Sequence, residues 1–459
     1  MKRFVANLRE LSERFDPRYV AFKRRIAAFR YPAVRLSDLL SATPEYGAGE
    51  AGIERTSVEE PRYIRITDID ENGELLPGLG VTAEIVEPRY FLQNGDLLFA
   101  RSGATVGKCY LHDTERAACL CFYAGYMIRF RLSEKALPRY IFAFAQTSYY
   151  RDWVQAVQRS AGQPNINAQE YGNLPIPLPP REVQMRIAAE LDAAYAEKRK
   201  ADDKAAKLLA SIDGIVLDAL GIPPLPPPDT SLSARIFTVP ARDVVGKTLA
   251  SAHYLGKLDF GASMFDCHPF YDMVAIDPPE SMPNVLPPYH LVPMDAVSAE
   301  YGSIERIEEI CTGNMSGYSM FRDGDVIFAK ISPCMENGKS AVVSTGLPGV
   351  LFGSTEFLVF RPKDKRILPE FLHLLLRMSA LRNNAAQNLT GTTGHQRITK
   401  EYFRHLDIPV PPKLVQEAIV AKVANIREEA KRLKAGALET LSIAQKRIEF
   451  EIIGNESSV

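Results

Sequence analysis

The stretch Leu174-Pro175-Ile176-Pro177-Leu178-Pro179-Pro180 has a partner later in the chain, Leu406-Asp407-Ile408-Pro409-Val410-Pro411-Pro412, 232 residues on. Gly162-Gln163-Pro164-Asn165-Ile166 and Gly394-His395-Gln396-Arg397-Ile398 share that offset, as do the pairs Gln184/Gln416 and Ile187/Ile419. Further upstream, Asn94-Gly95-Asp96-Leu97-Leu98-Phe99-Ala100-Arg101 matches Asp323-Gly324-Asp325-Val326-Ile327-Phe328-Ala329-Lys330 at an offset of 229. A period this long lies far outside the ~20–50 residues of a solenoid repeat. It describes two copies of one module. Between the anchors the copies diverge, with little shared between residues 67–80 and 294–307. A repeated scaffold with unlike surfaces suggests two related but distinct recognition faces.

After each proline-marked segment comes a long stretch with helical periodicity. In the first, apolar or small residues fall at Ile187, Leu191, Ala194, Ala201, Ala205, Leu208, Ile212, Ile215 and Ala219, with Lys198 at the one interrupted position. The second gives Ile419, Val423, Ile426, Ala430, Leu433, Ala437, Leu441, Ala444 and Ile448. Steps of four and three mark the a/d seam of a coiled coil. Each arm is roughly 35–40 residues, or about 55–60 Å as a helix. The narrow, Ala-rich seams point to close helix–helix contact, most simply arm against arm. The alternative is that each arm packs on its own module. Pro223, Pro224, Pro226, Pro227 and Pro228 predict a stiff turn into the second copy.

The modules read as α+β. Short apolar runs at 97–100, 126–130, 326–329 and 357–360 predict strands, and 138–157 and 369–387 predict helices that start at Pro138 and Pro369. The resulting domain plan is a basic N-terminal helical arm (1–30), a first module (31–180), a spacer helix (181–222), a second module (223–412, Pro-rich over 223–228) and a second spacer helix (413–459).

Composition narrows the function. The 459 residues carry 55 Lys+Arg and 56 Asp+Glu, a formal charge of -1. That excludes a polycationic nucleic-acid binder but not local basic faces. The longest uncharged, mostly apolar run, Ala117 to Ile128, is far short of the ~20 residues that span a bilayer. The mixed-charge N-terminus does not read as a leader, and six Cys without a CxxC pair suggest a reduced, cytoplasmic protein.

No motif demands catalysis. Ser102-Gly103-Ala104-Thr105-Val106-Gly107-Lys108-Cys109 has the look of a phosphate loop but lacks the spacing and the hydroxyl of a Walker A sequence. It reads as a Gly-rich turn whose Lys108 is placed to meet a phosphate. The second copy also ends in Gly-Lys, at Gly338-Lys339. Asp277-Pro278-Pro279-Glu280 resembles the amino-methyltransferase motif, with Glu in place of the base-stacking aromatic. A proline-rich turn is the plainer reading. The seven His are scattered, with no metal-ligand spacing. Residues 129–159 mix Lys/Arg with Tyr149, Tyr150 and Trp153. They read either as a basic, aromatic DNA-facing patch or as a solvated helix face over a buried aromatic ridge. Gln163, Asn165, Gln396 and Arg397 are the side-chain types that read base edges, at matching places in the two copies. With Arg101, Ser102, Lys108, Lys330 and Lys339 they form the candidate DNA-binding set. Ile187, Leu191, Leu208, Ile212, Ile419, Val423, Ile426 and Leu433 form the candidate set for helix pairing and partner docking.

The order of the elements, occurring twice, resembles the DNA specificity (S) subunit of Type I restriction–modification systems. It runs from the Gly-Asp-x-x-Phe-Ala-(Arg/Lys) strand through the Gly-Lys turn and the Gly-Gln-Pro-Asn-Ile or Gly-His-Gln-Arg-Ile element to the Ile-Pro-x-Pro-Pro segment before a helix. The resemblance implies two target-recognition domains, each reading one half of a bipartite site in double-stranded DNA. The long helices would pair antiparallel as a spacer and dock two adenine-N6 methyltransferase (M) subunits, joined by restriction (R) subunits. S-adenosylmethionine, ATP and Mg²⁺ would belong to those partners, leaving this chain non-catalytic, cytoplasmic and without a membrane. The alternatives are the specificity subunit of a related methylation-only or site-adjacent-cutting complex, a stand-alone DNA enzyme, or a structural coiled-coil adaptor.

Overall fold

The computed structural model describes residues 29–158, 164–223, 238–239, 260–280, 288–311, 315–392, 396–404 and 406–454. The N-terminal arm before residue 29, most of the Pro-rich stretch after Pro223, Gln163 and His395 lie outside the described residues. The described chain divides into two compact units. One holds the residues up to Asp202 and those from Lys434, and the other holds Asp203–Leu433. No described helix is long and apolar enough to cross a membrane.

Each unit is built on the same antiparallel four-stranded sheet. In the first unit the order is Glu45–Tyr46, Met127–Phe130, Leu97–Ala100, Cys109–Leu111; in the second it is Val274–Ile276, Phe357–Pro362, Val326–Ala329, Ser340–Val342. The duplicated Phe-Ala strand is central in both and is buried along its whole length, which is why it reads as a continuous apolar run rather than an alternating one. The helical stretch after it is not one helix. It breaks into Pro138–Phe144 and Ser148–Val157 in the first copy, and into Pro369–Arg377 and Ser379–Ala386 in the second. Extended backbone at Thr147 and at Met378 interrupts the ladder, and the Thr147 hydroxyl caps the new helix by accepting from the Tyr150 N–H at 3.2 Å.

The proline-marked segments close their modules. Pro175–Pro177 pairs antiparallel with Ala33–Arg35, and Asp407–Pro409 with Cys267–Pro269. Only a two-stranded edge ladder tolerates this proline density, since each Pro removes a donor. Ile176 and Ile408, between the prolines, are buried. The helices that follow are Arg181–Leu220 and Lys413–Ile453. Gln184 and Gln416, buried in their first turns, latch the two structures together. Each side-chain oxygen accepts the N–H of the residue before the helix that starts at Pro138 or Pro369 (Leu137, Leu368) at 2.9 Å, and each amide donates to the Pro179 or Pro411 carbonyl. Leu137 and Leu368 precede proline-started helices, so their N–H groups would otherwise be orphaned.

Within each unit the segments of the two long helices run antiparallel. In the first unit Ile187, Leu191 and Ala194 share a core with Leu441, Ala444, Ile448 and Ile452; in the second, Val216, Leu217 and Leu220 share one with Ile419 and Val423. Both of these cores also contain module residues, Tyr140 and Phe142 in one, Phe371 and Leu375 in the other. The arms therefore pair with one another and pack on the modules at once. Of the pairing set, Ile187, Leu191, Ile419 and Val423 are buried, whereas Leu208, Ile212, Ile426 and Leu433 are half-buried. Each module's second helix is capped by an acid from the arm of the other copy: Glu449 accepts the Ser148 N–H at 3.1 Å, and Asp213 the Ser379 N–H at 2.8 Å.

Candidate nucleic-acid interface

The copies part company in a second four-stranded sheet. Each contains one parallel pair, Arg62–Ile64 with Cys121–Tyr123 and Tyr289–Val292 with Leu351–Gly353. In the first module both remaining strands, Val81–Thr82 and then Ile53–Glu54, extend the sheet from Arg62–Ile64. In the second, Glu308–Ile310 adds to one side and Ser319–Phe321 to the other. The same parallel pair thus carries different edges, built from the segments that diverge in sequence.

The duplicated polar residues near the sheets divide into two groups. One group holds the scaffold. Asp96 and Asp325, both buried, each accept from an arginine on the neighbouring strand through both oxygens. Arg131 meets Asp96 at 2.8 and 3.2 Å, and Arg361 meets Asp325 at 2.6 Å twice. Each also accepts a backbone N–H of its own turn, from Gln93 or Arg322. Lys108 and Lys339 each donate to a carbonyl in the divergent segment, that of Ile69 or Met294, at 2.9 Å. Lys108 is 12% exposed and also pairs with Glu71 at 2.9 Å. The Gly-Lys turn therefore ties the shared sheet to the variable one.

The other group lies where the Phe-Ala strand leaves the sheet. There the Ile166 N–H donates to the Arg101 carbonyl and the Ile398 N–H to the Lys330 carbonyl, both at 2.9 Å. The Gly103 N–H donates to the Pro164 carbonyl and the Ser332 N–H to the Gln396 carbonyl. Ser102 and Asn165 are bridge partners. The structure thus brings Arg101, Ser102 and Asn165 together in one unit, and Lys330, Gln396 and Arg397 together in the other. Arg101 lies over the Tyr46 ring at 4.8 Å. Its N–H donates to the Tyr126 carbonyl, and Tyr126 is 67% exposed. In the second copy the corresponding N–H, on Lys330, donates to the carbonyl of Glu356. The Glu356 carboxylate binds Arg397 at 2.7 and 2.9 Å and pushes its guanidinium pKa up through those hydrogen bonds. One junction presents exposed tyrosines and an arginine, the other an arginine already held by a carboxylate.

Tyr46, Tyr126 and Glu356 escape a reading based on repeats, because they stand where the copies differ. Their signal is the glycine beside the first two. A Cβ on Gly47 would lie 2.4 Å from the Ala124 carbonyl oxygen, so only glycine lets the two tyrosine loops approach.

Of the segment 129–159, the described residues 129–158 follow the second of its two readings, and Arg159 lies outside them. Tyr149, Tyr150 and Trp153 are buried in the first core. Arg129 and Arg131 pair with Asp96, and Arg139 with Asp192. It is an aromatic ridge, because the helix break turns these rings onto the sheet. Asp277 and Glu280 are likewise structural. Asp277 accepts from the Val359 N–H at 2.8 Å, and Glu280 accepts from Arg322 and Arg361, which hold its carboxyl below the usual range against the upward push of burial. Among the described residues no cluster of His, Cys, Asp and Glu is arranged to hold a metal.

A shared chassis carrying two unlike faces defines a tandem-module protein, and its two halves have a known kind. The sequence profile of the Type I restriction modification DNA specificity domain matches twice, over residues 64–204 and 309–441. More than half the chain is matched, and the chain belongs to this family. It is 30% identical over 159 residues to the Type I restriction enzyme EcoAI specificity subunit of Escherichia coli, and 31% over 160 residues to the EcoEI specificity subunit of the same species. Each of these stretches is 34% of this chain and 27% of the relative, so the match spans about a quarter of these curated proteins. Among solved structures, the HsdS subunit from Thermoanaerobacter tengcongensis is 18% identical, with 92% of this chain and 97% of that one covered and a TM-score of 0.34. A chain from work on complex assembly and conformational transition of the type I R-M system is 18% identical, with 91% and 95% covered and a TM-score of 0.45.

Proposed function

We propose that this chain is the DNA-reading specificity subunit of a Type I restriction–modification complex. Each module reads one half of a bipartite site in double-stranded DNA, the arms set the gap and dock methyltransferase subunits, and restriction subunits join the assembly. The chain is non-catalytic in this reading, and S-adenosylmethionine, ATP and Mg²⁺ act in its partners. The observation that carries it is the duplicated family domain with one chassis and two unlike outer sheets.

Within the candidate set, Arg101, Ser102 and Asn165 face DNA beside Tyr46 and Tyr126, as do Lys330, Gln396 and Arg397 in the second copy. Lys108 and Lys339 position the variable sheets. Neutralising a phosphate contact lowers the salt slope of binding by about one, whereas losing a positioning residue does not. Arg101→Ala is expected to lower that slope, and Lys108→Met to leave it unchanged, in duplex titrations of the complex across salt.

The decisive experiment co-expresses the chain with its adjacent methyltransferase gene and maps N6-methyladenine across the host genome. A split motif with a fixed unspecified gap is expected, and replacing residues 31–180 should change only one half of it. Absence of new methylation from an assembled complex that binds S-adenosylmethionine would overturn the reading.

A further inference from the structure

The repeat allows the same place to be compared in both copies, and one place differs in kind. It lies between the start of each arm and its own module. Counted from Pro138 and Pro369, Arg139 corresponds to Glu370 and Phe142 to His373; counted from Gln184 and Gln416, Asp192 corresponds to Ala424 and Tyr195 to Arg427. In the first copy the site is full. Phe142 and Tyr195 are buried with ring centroids 6.1 Å apart. The Arg139 guanidinium lies against both, 5.2 and 5.3 Å from the ring centroids, and pairs with the Asp192 carboxylate, which Arg116 also reaches at 3.2 Å.

In the second copy the same place is a cavity of about 320 Å³. Its apolar wall is Ile304, Val342, Leu374, Val420 and Val423, and its polar lining includes Ser303, His373, Glu370 and Arg427. Arg427 has replaced a tyrosine, and alanine has replaced the aspartate that served the guanidinium in the first copy. Among the described residues the buried Arg427 Nε and the Ser303 hydroxyl have no hydrogen-bond partner; the Arg139 Nε has none either, but Arg139 keeps its ion pair with Asp192. Behind Arg427, Arg377 donates only to the carbonyls of Gly338, Ala299 and Glu300, and Arg382 to those of Glu336 and Arg377. A group of half-buried guanidiniums solvated by carbonyls is unfavourable unless an anion joins it. Burial, then the charges of Arg427 and Arg382, pull the Arg377 guanidinium down to about 9, and the Asp213 carboxylate nearby offsets this only in part.

We infer that this cavity is a carboxylate site specific to the second copy. It takes a single carboxylate on a short aliphatic stem, the carboxylate on Arg427 and Ser303 and the stem along the valine and leucine wall. The first copy supplies the guanidinium's carboxylate from within, and the second takes it from another molecule. The source is either an acidic side chain of a partner subunit or a free small carboxylic acid. The inference concerns this chain's own pocket, and its first test needs neither DNA nor a partner.

Butyrate and inorganic phosphate are titrated against the full-length chain at matched ionic strength by ligand-observed NMR, with wild type, Arg427→Met, Arg427→Lys and Glu370→Gln. Assembly with the co-expressed methyltransferase subunit is measured for the same variants. Saturable butyrate binding, weakened at least tenfold by Arg427→Met, partly kept by Arg427→Lys and kept or tightened by Glu370→Gln, supports the site. If assembly then survives Arg427→Met the source is a free acid. If assembly falls at least tenfold, with or without butyrate binding, and recovers in part with Arg427→Lys, the source is the partner's side chain. Preference for phosphate, loss of binding in Glu370→Gln, or no effect of Arg427→Met on either measurement overturns the proposal. Cooperative unfolding of Arg427→Lys guards against misreading a folding defect.

Discussion

The two modules agree where the chain must satisfy itself and differ where it meets something else. Gln184 and Gln416, Asp96 and Asp325, and Lys108 and Lys339 make the same bonds to the same kinds of backbone group. The strands added beside each parallel pair differ in number per side, and the arm–module gap is filled by aromatics in one and open in the other. A buried polar group has few ways to be satisfied, so duplication preserves it. An exposed edge has many, so it drifts or is selected apart. Motif identity between the copies therefore marks the chassis, and recognition is to be sought where the copies disagree.

The sharpest way to break that equivalence is at the buried aspartates. Asp96 serves Arg131 and stands 3.9 Å from Arg129, whose other carboxylate partner is Glu45 and which also donates to the carbonyls of Arg89 and Phe91. Asp325 serves Arg361, which Glu280 also holds. Removing one partner of a buried ion pair costs about 3–5 kcal/mol, and Asp96→Ala is expected in that range. Asp325→Ala should cost distinctly less, because Glu280 remains on Arg361. Hydrogen exchange resolved by module checks this, with protection lost in the module that carries the change. Equal losses would show that Glu280 contributes nothing.

The next effect separates the modules by pH. His373 is fully buried; burial first, then the charges of Arg377 and Arg427, push its pKa well below the ordinary value. The unfolded chain binds that proton near pH ~6.5 and the folded chain does not, so stability falls below that pH, by up to about 1.4 kcal/mol per unit. His112 in the first module is also depressed by burial. His373→Phe, which installs the first copy's residue, is expected to remove one proton from the acid slope of the second module and leave the first module's slope alone. Unfolding followed from pH 7 to 5 reads the difference.

Much of the chassis was legible in the sequence. The Ile-Pro-x-Pro-Pro segments, the central Phe-Ala strands and the arm seams are long or strongly patterned signals, and Ala205, Ala430, Ala437 and Leu441 are buried on those seams. The outer sheets were not legible, since strands such as Ile53–Glu54 and Val81–Thr82 are too short to show a period. The break at Thr147 had a signal in its capping residue, whereas at Met378 the break was hidden because helix propensity continues through it. For the candidate site, the repeat drew attention to Lys108 and Lys339, whose bonds are internal. It passed over Tyr46 and Tyr126, because the tyrosines are not repeated and Glu356 stands where Tyr126 does in the first copy. The exchange of Tyr195 for Arg427 was visible at the shared offset but has meaning only beside the cavity.

The smallest effect tests the tight turns before the central strands. Gly95 and Gly324 have φ of +87° and +90°, a region that costs an L-residue about 1–2 kcal/mol. Both N–H groups donate to the neighbouring strand's end, Gly95 to His112 and Gly324 to Val343, so neither turn can relax without losing that bond. The surroundings differ: a Cβ at Gly95 would stand 3.3 Å from Pro138 Cγ, whereas one at Gly324 meets nothing within 4 Å. Gly324→Ala is therefore expected to cost the backbone strain alone. Gly95→Ala should cost slightly more, because Pro138 starts the helix that Gln184 latches and has little room to yield. Equal costs in thermal unfolding would show that the helix start moves freely, and would weaken the view of Gln184 as a rigid latch.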